Sequence, residues 1–430
     1  MRNPPFVGRN KKTEDQISDM QMIWGPRYDG NLDYVTCWFY KAARYLRDVR
    51  NTEFAFVTTN SICQGIQVSY LFQPLKVWGW NIRFAHTTFA WDAQSTDMAH
   101  VHVVVVGFVK KKQAKKSLYS YKDLSGDPQI SHPDNINGYL ASAQDVFVEK
   151  RSQKLGTLSP MLSLANFGSM PRDGGHLIID SRDEYEEAMA DPIAAKYVRP
   201  FRGSRELING IDRWCLWLQD ATPADRTKSP ILRNRVQQVK EMREHSSAAS
   251  TREMASTAWL FAQRAQPTTR YVAIPGVFSA DREYATCDWF DPDVISSNAN
   301  FTCADPDGFA FAIIESSMFI TWQKAIGGRL KSDCRFSNTV VWNNLPLPAV
   351  SEELRGKVIA AGKVVLDARA NYPESSLAEL YNLAGMPVDL RKAHQELDKV
   401  VDRAFGAAKP CRTNDERVKI LFNNYEQMTK

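Results

Sequence analysis

The spacing of apolar residues changes character twice along the chain, and this division constrains the fold more than any other feature. In the first part, residues 32–49 carry apolar side chains at helical spacing, whereas residues 54–58, 81–85 and 99–109 are apolar runs typical of strands. Helical and strand patterns therefore alternate, which predicts an α/β segment.

The next part, up to about Pro348, mixes short strand patterns with amphipathic helices, and a capping box from Ser181 to Glu184 opens one of these helices. Pro346 and Pro348 then interrupt the chain, and apolar residues recur at helical spacing from there to the C-terminus. The 430 residues thus predict an α/β segment, a mixed α+β domain and an all-α C-terminal region.

Composition excludes several classes of protein. Hydrophobic residues make up 43% of the chain and charged residues 24%, which is typical of a folded globular protein. The longest apolar run, 101–109, is interrupted by His102 and is far shorter than the ~18 residues of a membrane helix. No secretory signal is recognisable, so we expect no membrane contact and a cytoplasmic location. Seven cysteines without a Cys-x-x-Cys pair predict neither a disulfide framework nor a metal site.

The tetrapeptide Asn3-Pro4-Pro5-Phe6 carries the sharpest local chemistry. The exocyclic amine of a base is a poor nucleophile because its lone pair is delocalised into the ring. The side-chain oxygen of Asn3 and the carbonyl oxygen of Pro4 form an acceptor pair for both amine hydrogens, and the prolines restrict the backbone that carries this carbonyl. Phe6 offers a ring on which a base flipped out of the duplex stacks. An ordinary Asn-Pro-Pro turn is the alternative interpretation.

The tetrapeptide resembles the catalytic motif of amino-methylating DNA methyltransferases, and the rest of the chain resembles one family, the MmeI-like restriction and modification enzymes. These enzymes join an adenine-N6 methyltransferase to a target-recognition domain. The matching segments run in the same order over nearly the whole chain: Asp33-Tyr-Val-Thr-Cys-Trp-Phe-Tyr-Lys41, Phe56-Val-Thr-Thr-Asn-Ser-Ile-Cys-Gln-Gly65, 84–91, 101–108, Asp173-Gly-Gly-His176, Arg213-Trp-Cys-Leu-Trp217, Gly328-Arg-Leu-Lys-Ser-Asp-Cys-Arg335, 343–348, 386–387 and 394–398.

The resemblance implies a fold and a division into domains. Residues 1–116 would form the catalytic-motif half of a Rossmann-like class I methyltransferase domain, and residues 117–158 a connector. Residues 159–348 would form the DNA target-recognition domain, and residues 349–430 a C-terminal helical domain.

The resemblance also implies double-stranded DNA as partner and S-adenosylmethionine as methyl donor. No Gly-x-Gly occurs in the 430 residues, so the main donor-binding motif is absent from them. The family carries a nuclease, a helical spacer and the donor-binding half before the catalytic motif, and no Glu-x-Lys typical of a metal-dependent nuclease occurs here. We therefore expect a C-terminal portion that needs the missing N-terminal portion, or a separate subunit, for activity.

Carried over to this sequence, the roles of the motif assign Asn3 and Pro4 to the target amine and Phe6 to stacking on the adenine. A second aromatic residue is expected to close the other face of the base. Phe89, expected in a loop between two strands, is the first candidate and Trp91 the alternative. A place in the core remains open for Phe89.

Two polar residues, Asn60 and Ser61, follow the strand that ends near Thr59. Open α/β sheets place ligands at the carboxyl ends of their strands, so both residues are candidates for the neighbourhood of the active site. The alternative is that Asn60 caps a following helix.

Four residues after the helix stop at Gly327-Gly328 are candidates for reading DNA sequence: Arg329, Lys331, Asp333 and Arg335. Residues 331 and 333 are two apart, so in an extended segment their side chains project to the same side. A lysine donor and an aspartate acceptor together suit one G·C pair. A surface ion pair that reads nothing is the alternative interpretation.

A lysine cluster, Lys110, Lys111 and Lys112, is a candidate for phosphate contacts, with a solvated face as the alternative. For Asp173-Gly-Gly-His176 a structural turn is favoured over a DNA contact, and for the two tryptophans of 213–217 a place in the core is favoured over base stacking.

Two functions from different classes stay open. The first is a site-specific DNA adenine-N6 methyltransferase of a restriction-modification system, here carrying its catalytic motif and recognition domain. The alternative is a DNA-binding specificity module without chemistry of its own. RNA binding is disfavoured because no aromatic signature of an RNA-binding module occurs.

Overall fold

A computed structural model describes residues 4–91, 101–110, 115–330 and 332–430. Four of the predicted functional residues, Asn3, Lys111, Lys112 and Lys331, lie outside the described residues. The chain forms two compact units. The first unit comprises Met1–Pro160, Thr321–Ala349 and Phe405–Lys430, and the second comprises Met161–Ile320 and Val350–Ala404.

Helices and strands are numbered in chain order. The helices are α1 (Glu14–Trp24), α2 (Thr36–Tyr45), α3 (Gln67–Val77), α4 (Arg182–Ala190), α5 (Ser204–Asn209), α6 (Pro223–Lys228), α7 (Pro230–Glu244), α8 (Ala249–Arg252), α9 (Phe309–Ile314), α10 (Ser317–Ile326), α11 (Glu352–Ala370), α12 (Leu377–Leu380), α13 (Val388–Ala404) and α14 (Asn414–Thr429). The strands are β1 (Glu53–Thr59), β2 (Asn81–Trp91), β3 (Val101–Val109), β4 (Ser117–Ser120), β5 (Gln129–Ser131), β6 (Ala165–Phe167), β7 (Ile178–Ile179), β8 (Val198–Arg202), β9 (Trp214–Leu216), β10 (Tyr271–Pro275), β11 (Val277–Phe278), β12 (Asp288–Phe290), β13 (Ile295–Ser296), β14 (Asn300–Ala304), β15 (Gly328–Leu330) and β16 (Asp333–Arg335).

A five-stranded sheet of order β1-β3-β2-β4-β5 is the centre of the first unit. Strand β3 runs antiparallel to both neighbours, and its register with β1 runs from Glu53↔Val109 to Thr59↔Val103. Strand β4 pairs with β2 in parallel and with β5 antiparallel. The α/β prediction for this part is therefore confirmed.

Part of the predicted connector, 117–158, belongs to this sheet instead of linking two domains. Strands β4 and β5 arise from it, because four- and three-residue strands rich in Ser, Tyr and Gln leave little periodic signal among loop residues. The predicted domain boundaries stay a prediction.

Aromatic rings fill the space between the sheet and α2. Phe54 of β1 stacks on Phe108 of β3 with ring centroids 4.9 Å apart, and Phe39 of α2 lies 5.0 Å from Phe56. Gly107 of β3 lies directly beneath the ring of Phe84, where a Cβ atom would come within 2.1 Å of the ring. The sequence pattern of apolar residues thus places the core on the helix-covered face of the sheet.

Two four-stranded sheets and a helical layer form the second unit. Their orders are β12-β10-β14-β6 and β13-β8-β9-β7. Helix α11 packs closely on α9, since a Cβ atom on Gly362 would lie 2.6 Å from the Cβ of Ala312. The predicted helical spacing after Pro348 is confirmed by α11, α13 and α14.

A buried polar network joins the helices of the second unit to its strands. The Glu315 carboxylate accepts hydrogen bonds from the Cys287 backbone N–H at 3.1 Å and from the Tyr381 hydroxyl at 3.0 Å, and it lies 2.7 Å from the Arg369 guanidinium. His394 completes the network, with Nε2 at 2.7 Å from the Tyr381 hydroxyl. Burial lowers the pKa of His394 to about 4, so this imidazole is neutral near pH 7.

The helix caps predicted from sequence are partly confirmed. The Ser181 hydroxyl accepts from the Glu184 N–H at 3.2 Å, but the Glu184 carboxylate accepts from the N–H of Asp180 rather than of Ser181. The cap predicted at Asn60 is wrong. A short 3₁₀ turn, Asn60–Cys63, begins there after Thr59, and its first residue turns its amide towards strand β2.

Candidate functional site

The described part of the tetrapeptide, Pro4 to Phe6, is followed by a backbone contact to the residues just before α2. Pro4 is buried, whereas Pro5 and Phe6 are exposed, with 37% of Phe6 accessible. The backbone that follows is held because the Val7 carbonyl accepts from the Tyr34 N–H at 3.0 Å. A rigid, buried proline followed by an accessible phenylalanine is the arrangement expected of a platform for an extrahelical base.

Asp33 connects this motif to the end of β1. Its carboxylate accepts from the Ser61 hydroxyl, and a Cβ atom built on Gly8 would lie 3.7 Å from one of its oxygens. The side chain of Asp33 is buried, and its backbone N–H donates to Gln67 Oε1 at 3.1 Å. The residue after Phe6 is thus hydrogen-bonded to Tyr34, and the neighbouring Asp33 is hydrogen-bonded to Ser61. Sequence reasoning missed Asp33 as a site residue, although it begins the matched segment 33–41.

Asn60, next to Ser61, contacts strand β2. It donates from its amide to the Thr88 hydroxyl at 3.4 Å. The register of β2 against β3 shifts between His86 and Phe89, so Thr88 lies in a bulge. Bulges re-aim side chains and are frequent next to active sites. The predicted position of Asn60 and Ser61, at the carboxyl end of a strand, is thus where the structure places them.

Phe89 lies within β2 and not in a loop, because β2 continues its pairing with β3 beyond the bulge, with Phe89 opposite Val103. The Phe89 ring is neither buried in the hydrophobic core nor fully exposed. Phe89 is partly buried and stacks on Tyr121 with centroids 4.9 Å apart. Trp91, two residues on, has 40% of its surface exposed and lies 6.1 Å from Phe89.

Five rings on β2 and the β4 segment form one group, which we call the β2 aromatic cluster: His86, Phe89, Trp91, Tyr119 and Tyr121. His86 stacks on Tyr119 at 4.2 Å, and its Nδ1 lies 2.8 Å from the Tyr121 hydroxyl. Burial lowers the pKa of His86. The two tyrosines were missed from the sequence because they lie in the expected connector. Their spacing, Tyr-Ser-Tyr, is that of side chains on one face of a strand.

The candidate recognition residues lie on a hairpin and not on one extended segment. Leu330 of β15 pairs with Asp333 of β16, and Arg329 pairs with Cys334. The chain thus reverses between Leu330 and Asp333. Lys331 lies outside the described residues, so the expectation that residues 331 and 333 project to the same side stays a prediction. Arg329 donates to the Ser332 carbonyl at 3.0 Å, within the hairpin itself. Arg335 is exposed.

Lys110 lies at the other end of the central sheet from Asn60. It follows Val109, which pairs with Glu53, whereas Asn60 follows Thr59 six residues further along β1. At about 3.3 Å per residue the two ends are roughly 20 Å apart. The Lys110 ammonium lies 5.2 Å from the ring centroid of Trp80, and Arg47 and Arg50 line the same cleft of 340 Å³. Lys110 is thus separate from the motif and belongs to a basic cluster.

In the second unit, Asp173-Gly-Gly-His176 forms a tight turn, as expected. Gly174 and Gly175 have φ of +66° and +91°, and the buried Asp173 carboxylate accepts from the N–H groups of Gly175 at 3.1 Å and Leu177 at 2.6 Å. Trp214 and Trp217 pack against the core of this unit, in agreement with the favoured interpretation.

The described residues suit the binding of a base more than the binding of the methyl donor. Phe6 and the β2 aromatic cluster offer aromatic rings, and the side chains of Asn60, Ser61 and Asp33 are polar, with Asp33 bonded to Ser61 and Asn60 to Thr88. A donor-binding loop of Gly-x-Gly form is not among the 430 residues.

Three family models match the chain in order. They describe the MmeI DNA-methyltransferase domain over residues 1–120, the MmeI target recognition domain over residues 142–349 and the MmeI C-terminal domain over residues 350–430. No helix in ranges 4–91, 101–110, 115–330 or 332–430 is long and apolar enough to cross a membrane.

Two known proteins are similar over the full chain. DNA methyltransferase A of Bacillus subtilis (strain 168) is 35% identical over 430 residues, which cover 100% of this chain and 47% of that protein. The structure of the Type IIL restriction-modification enzyme MmeI in complex with DNA matches with a TM-score of 0.86 and 38% identity, covering 100% of this chain and 57% of that one. The chain therefore spans about half the length of these relatives.

Proposed function

The chain belongs to the MmeI family of DNA methyltransferases with a target recognition domain, and from this premise we propose that it methylates the N6 amine of adenine at a specific DNA site. One observation carries the proposal. The Val7 carbonyl, next to Phe6, accepts from the Tyr34 N–H, the adjacent Asp33 accepts from the Ser61 hydroxyl, and Asn60 donates to Thr88 of the strand that bears the β2 aromatic cluster.

The proposed roles within the site follow from these contacts. Asn3 and the Pro4 carbonyl accept the two amine hydrogens, and Phe6 stacks on the flipped base. Phe89 lies one residue from Thr88, so it is the candidate for the opposite face, with Trp91 as the more exposed alternative. The stacks of Phe89 on Tyr121 and of His86 on Tyr119 restrain the rings of this wall.

Methyltransferase family membership implies S-adenosylmethionine as the donor, which supplies an electrophilic methyl group to the amine. We propose that the donor is held mainly by residues outside these 430, supplied by an N-terminal portion or a separate subunit. Two observations support this: the chain has no Gly-x-Gly, and it covers 47% of its curated relative. On this proposal the chain alone does not methylate DNA.

Sequence reading is proposed for the β15–β16 hairpin. The Arg335 side chain is exposed and forms no hydrogen bond with the described residues, whereas Arg329 holds the hairpin through the Ser332 carbonyl. Lys331 lies outside the described residues and Asp333 begins β16; on this proposal the two side chains together offer a donor and an acceptor to a G·C pair. Exchanging them, with Lys331→Glu and Asp333→Arg, is expected to change the preferred base at one position.

A complementation assay tests the proposed function. The 430-residue chain is combined with duplex DNA, S-adenosylmethionine bearing a labelled methyl group, and the part of the Bacillus subtilis relative that the chain does not match. We expect labelled N6-methyladenine in the DNA only when both polypeptides are present. Labelled N4-methylcytosine would contradict the adenine assignment, and product from the chain alone would contradict the need for a partner.

Three variants in the same assay test the stacking roles. Phe6→Ala and Phe89→Ala are each expected to lower the methylation rate about tenfold or more and to leave duplex binding unchanged, because the rings act after the base has left the helix. Tyr45→Ala is the matched control, since this ring of the first unit is 85% exposed and lies at the end of α2. Equal rates for all three variants would refute the stacking roles.

A further inference from the structure

The turn around Arg172 in the second unit combines strain with exposure. Arg172 has φ +44°, a conformation that a residue with a Cβ atom adopts only at a cost and that glycine or asparagine adopts more readily. Its side chain is exposed, and its guanidinium forms no hydrogen bond or ion pair with the described residues. The packing of the folded chain thus gives no reason for an arginine at this position.

A buried arginine, Arg243, holds the backbone of this strained residue through hydrogen bonds. Arg243 of α7 is fully buried, and its five N–H groups all donate to backbone carbonyl oxygens. Nε donates to the carbonyl of Arg172 at 3.0 Å and Nη2 to that of Pro171 at 3.1 Å. The remaining donations go to the carbonyls of Met254, Thr257 and Leu260, at 2.8–3.1 Å.

The other side of the turn is fixed by Asp173, whose buried carboxylate holds the N–H groups of Gly175 and Leu177. The Cα atom of Arg172 is therefore held on both sides, while its side chain stays free. In the same turn, Gly175 faces open space and has no side chain that would block the approach of a binding partner. A fixed anchor, a free guanidinium and a bare glycine surface together suit the approach of a nucleic-acid backbone.

We propose that Arg172 binds a phosphate of the DNA duplex and that Arg243 positions it for this contact. The inference rests on the proposed function, since it assigns a DNA contact to a residue of the region that matches the target recognition domain. The guanidinium offers paired N–H donors that match two phosphate oxygens. Fixing the backbone beforehand lowers the entropy lost on binding.

The test measures duplex binding by fluorescence anisotropy, with the full chain and a labelled mixed-sequence duplex, over a series of salt concentrations. Arg172→Gly is expected to weaken binding about tenfold and to lower the slope of log affinity against log salt by about 0.9. Its thermal midpoint is expected to equal or exceed that of the wild type, because glycine relieves the strain. Loss of binding with this gain in stability excludes misfolding as the cause.

Two further variants sharpen the test. Arg172→Lys keeps the charge and is expected to retain most of the affinity, because an ammonium also binds phosphate. If Arg172 instead contacted a guanine through paired N–H donors, lysine would replace it poorly. Arg182→Ala removes an exposed charge that is paired with Glu186 on α4, and it is expected to leave affinity and slope unchanged.

The outcomes separate the two proposals. A wild-type chain that does not bind duplex DNA would overturn the proposed function. A wild-type chain that binds, with Arg172→Gly equal to Arg182→Ala, would overturn only the role of Arg172. Failure of Arg172→Lys to restore binding would overturn the phosphate assignment.

Discussion

Replacing the buried Arg243 with lysine is expected to destabilise the second unit by about 2–6 kcal/mol. The side chain donates five hydrogen bonds to backbone carbonyls, and lysine has at most three N–H donors. At least two carbonyl oxygens then lose their partner, at about 1–3 kcal/mol each. Burial lowers the pKa of Arg243. The ammonium group of a lysine at this position would be buried as well, so water would not replace the lost hydrogen bonds.

Urea unfolding followed by circular dichroism measures this change in the free energy of unfolding. Arg182→Lys, on the exposed face of α4, is the control and is expected to stay within about 0.5 kcal/mol of the wild type. Because Arg243 also holds Pro171 and Arg172, native Arg243→Lys is expected to bind duplex DNA more weakly as well. A loss of stability below about 0.5 kcal/mol would refute the claim that the five donations fix this turn.

Three further outcomes are expected. The free energy of unfolding should fall by about 3 kcal/mol as the pH drops from 6.5 towards 4, and this contribution of His394 should then level off. The reason is that the pKa of His394 is lowered to about 4 in the folded chain, so the unfolded chain takes up the proton first. In urea titrations at a series of pH values, His394→Gln should remove this contribution. Gly362→Ala should cost about 1–3 kcal/mol, because its Cβ would lie 2.6 Å from that of Ala312, whereas Gly356→Ala on the same helix meets nothing within 4 Å and should be neutral or stabilising in thermal unfolding. Lys110→Ala should lower the salt slope of duplex binding by about 0.9 without changing site preference, and an unchanged slope would assign the basic cluster to a solvated surface.

The parts of the fold that the sequence predicted are those in which local pattern and tertiary packing agree. The helical spacing after Pro348 and the apolar run of β3 each describe a face that the structure buries, whereas Phe54 and Phe56 of β1 are only partly buried. Strands β4 and β5 were missed because they are four and three residues long and depend on tertiary pairing, of β4 with β2 and of β5 with β4. Asn60 failed as a cap because its amide finds a partner on a distant strand, Thr88. Sequence spacing carries no information about such a contact.

The candidate site shows the same limit at the level of single side chains. The roles assigned to Asn3, Pro4 and Phe6 follow from the residue types of the tetrapeptide and stay a prediction. Ser61 was predicted from its place after a strand, but Asp33 was not, because its contact with Ser61 joins positions 28 residues apart. The β15–β16 hairpin is the clearest case. An alternation rule applied to residues 331 and 333 assumes a continuous strand, whereas β15 ends at Leu330 and β16 begins at Asp333. Which side chains reach a base therefore depends on the turn, and only a variant that changes one side of the hairpin at a time can assign the reading to Lys331, Asp333 or Arg335.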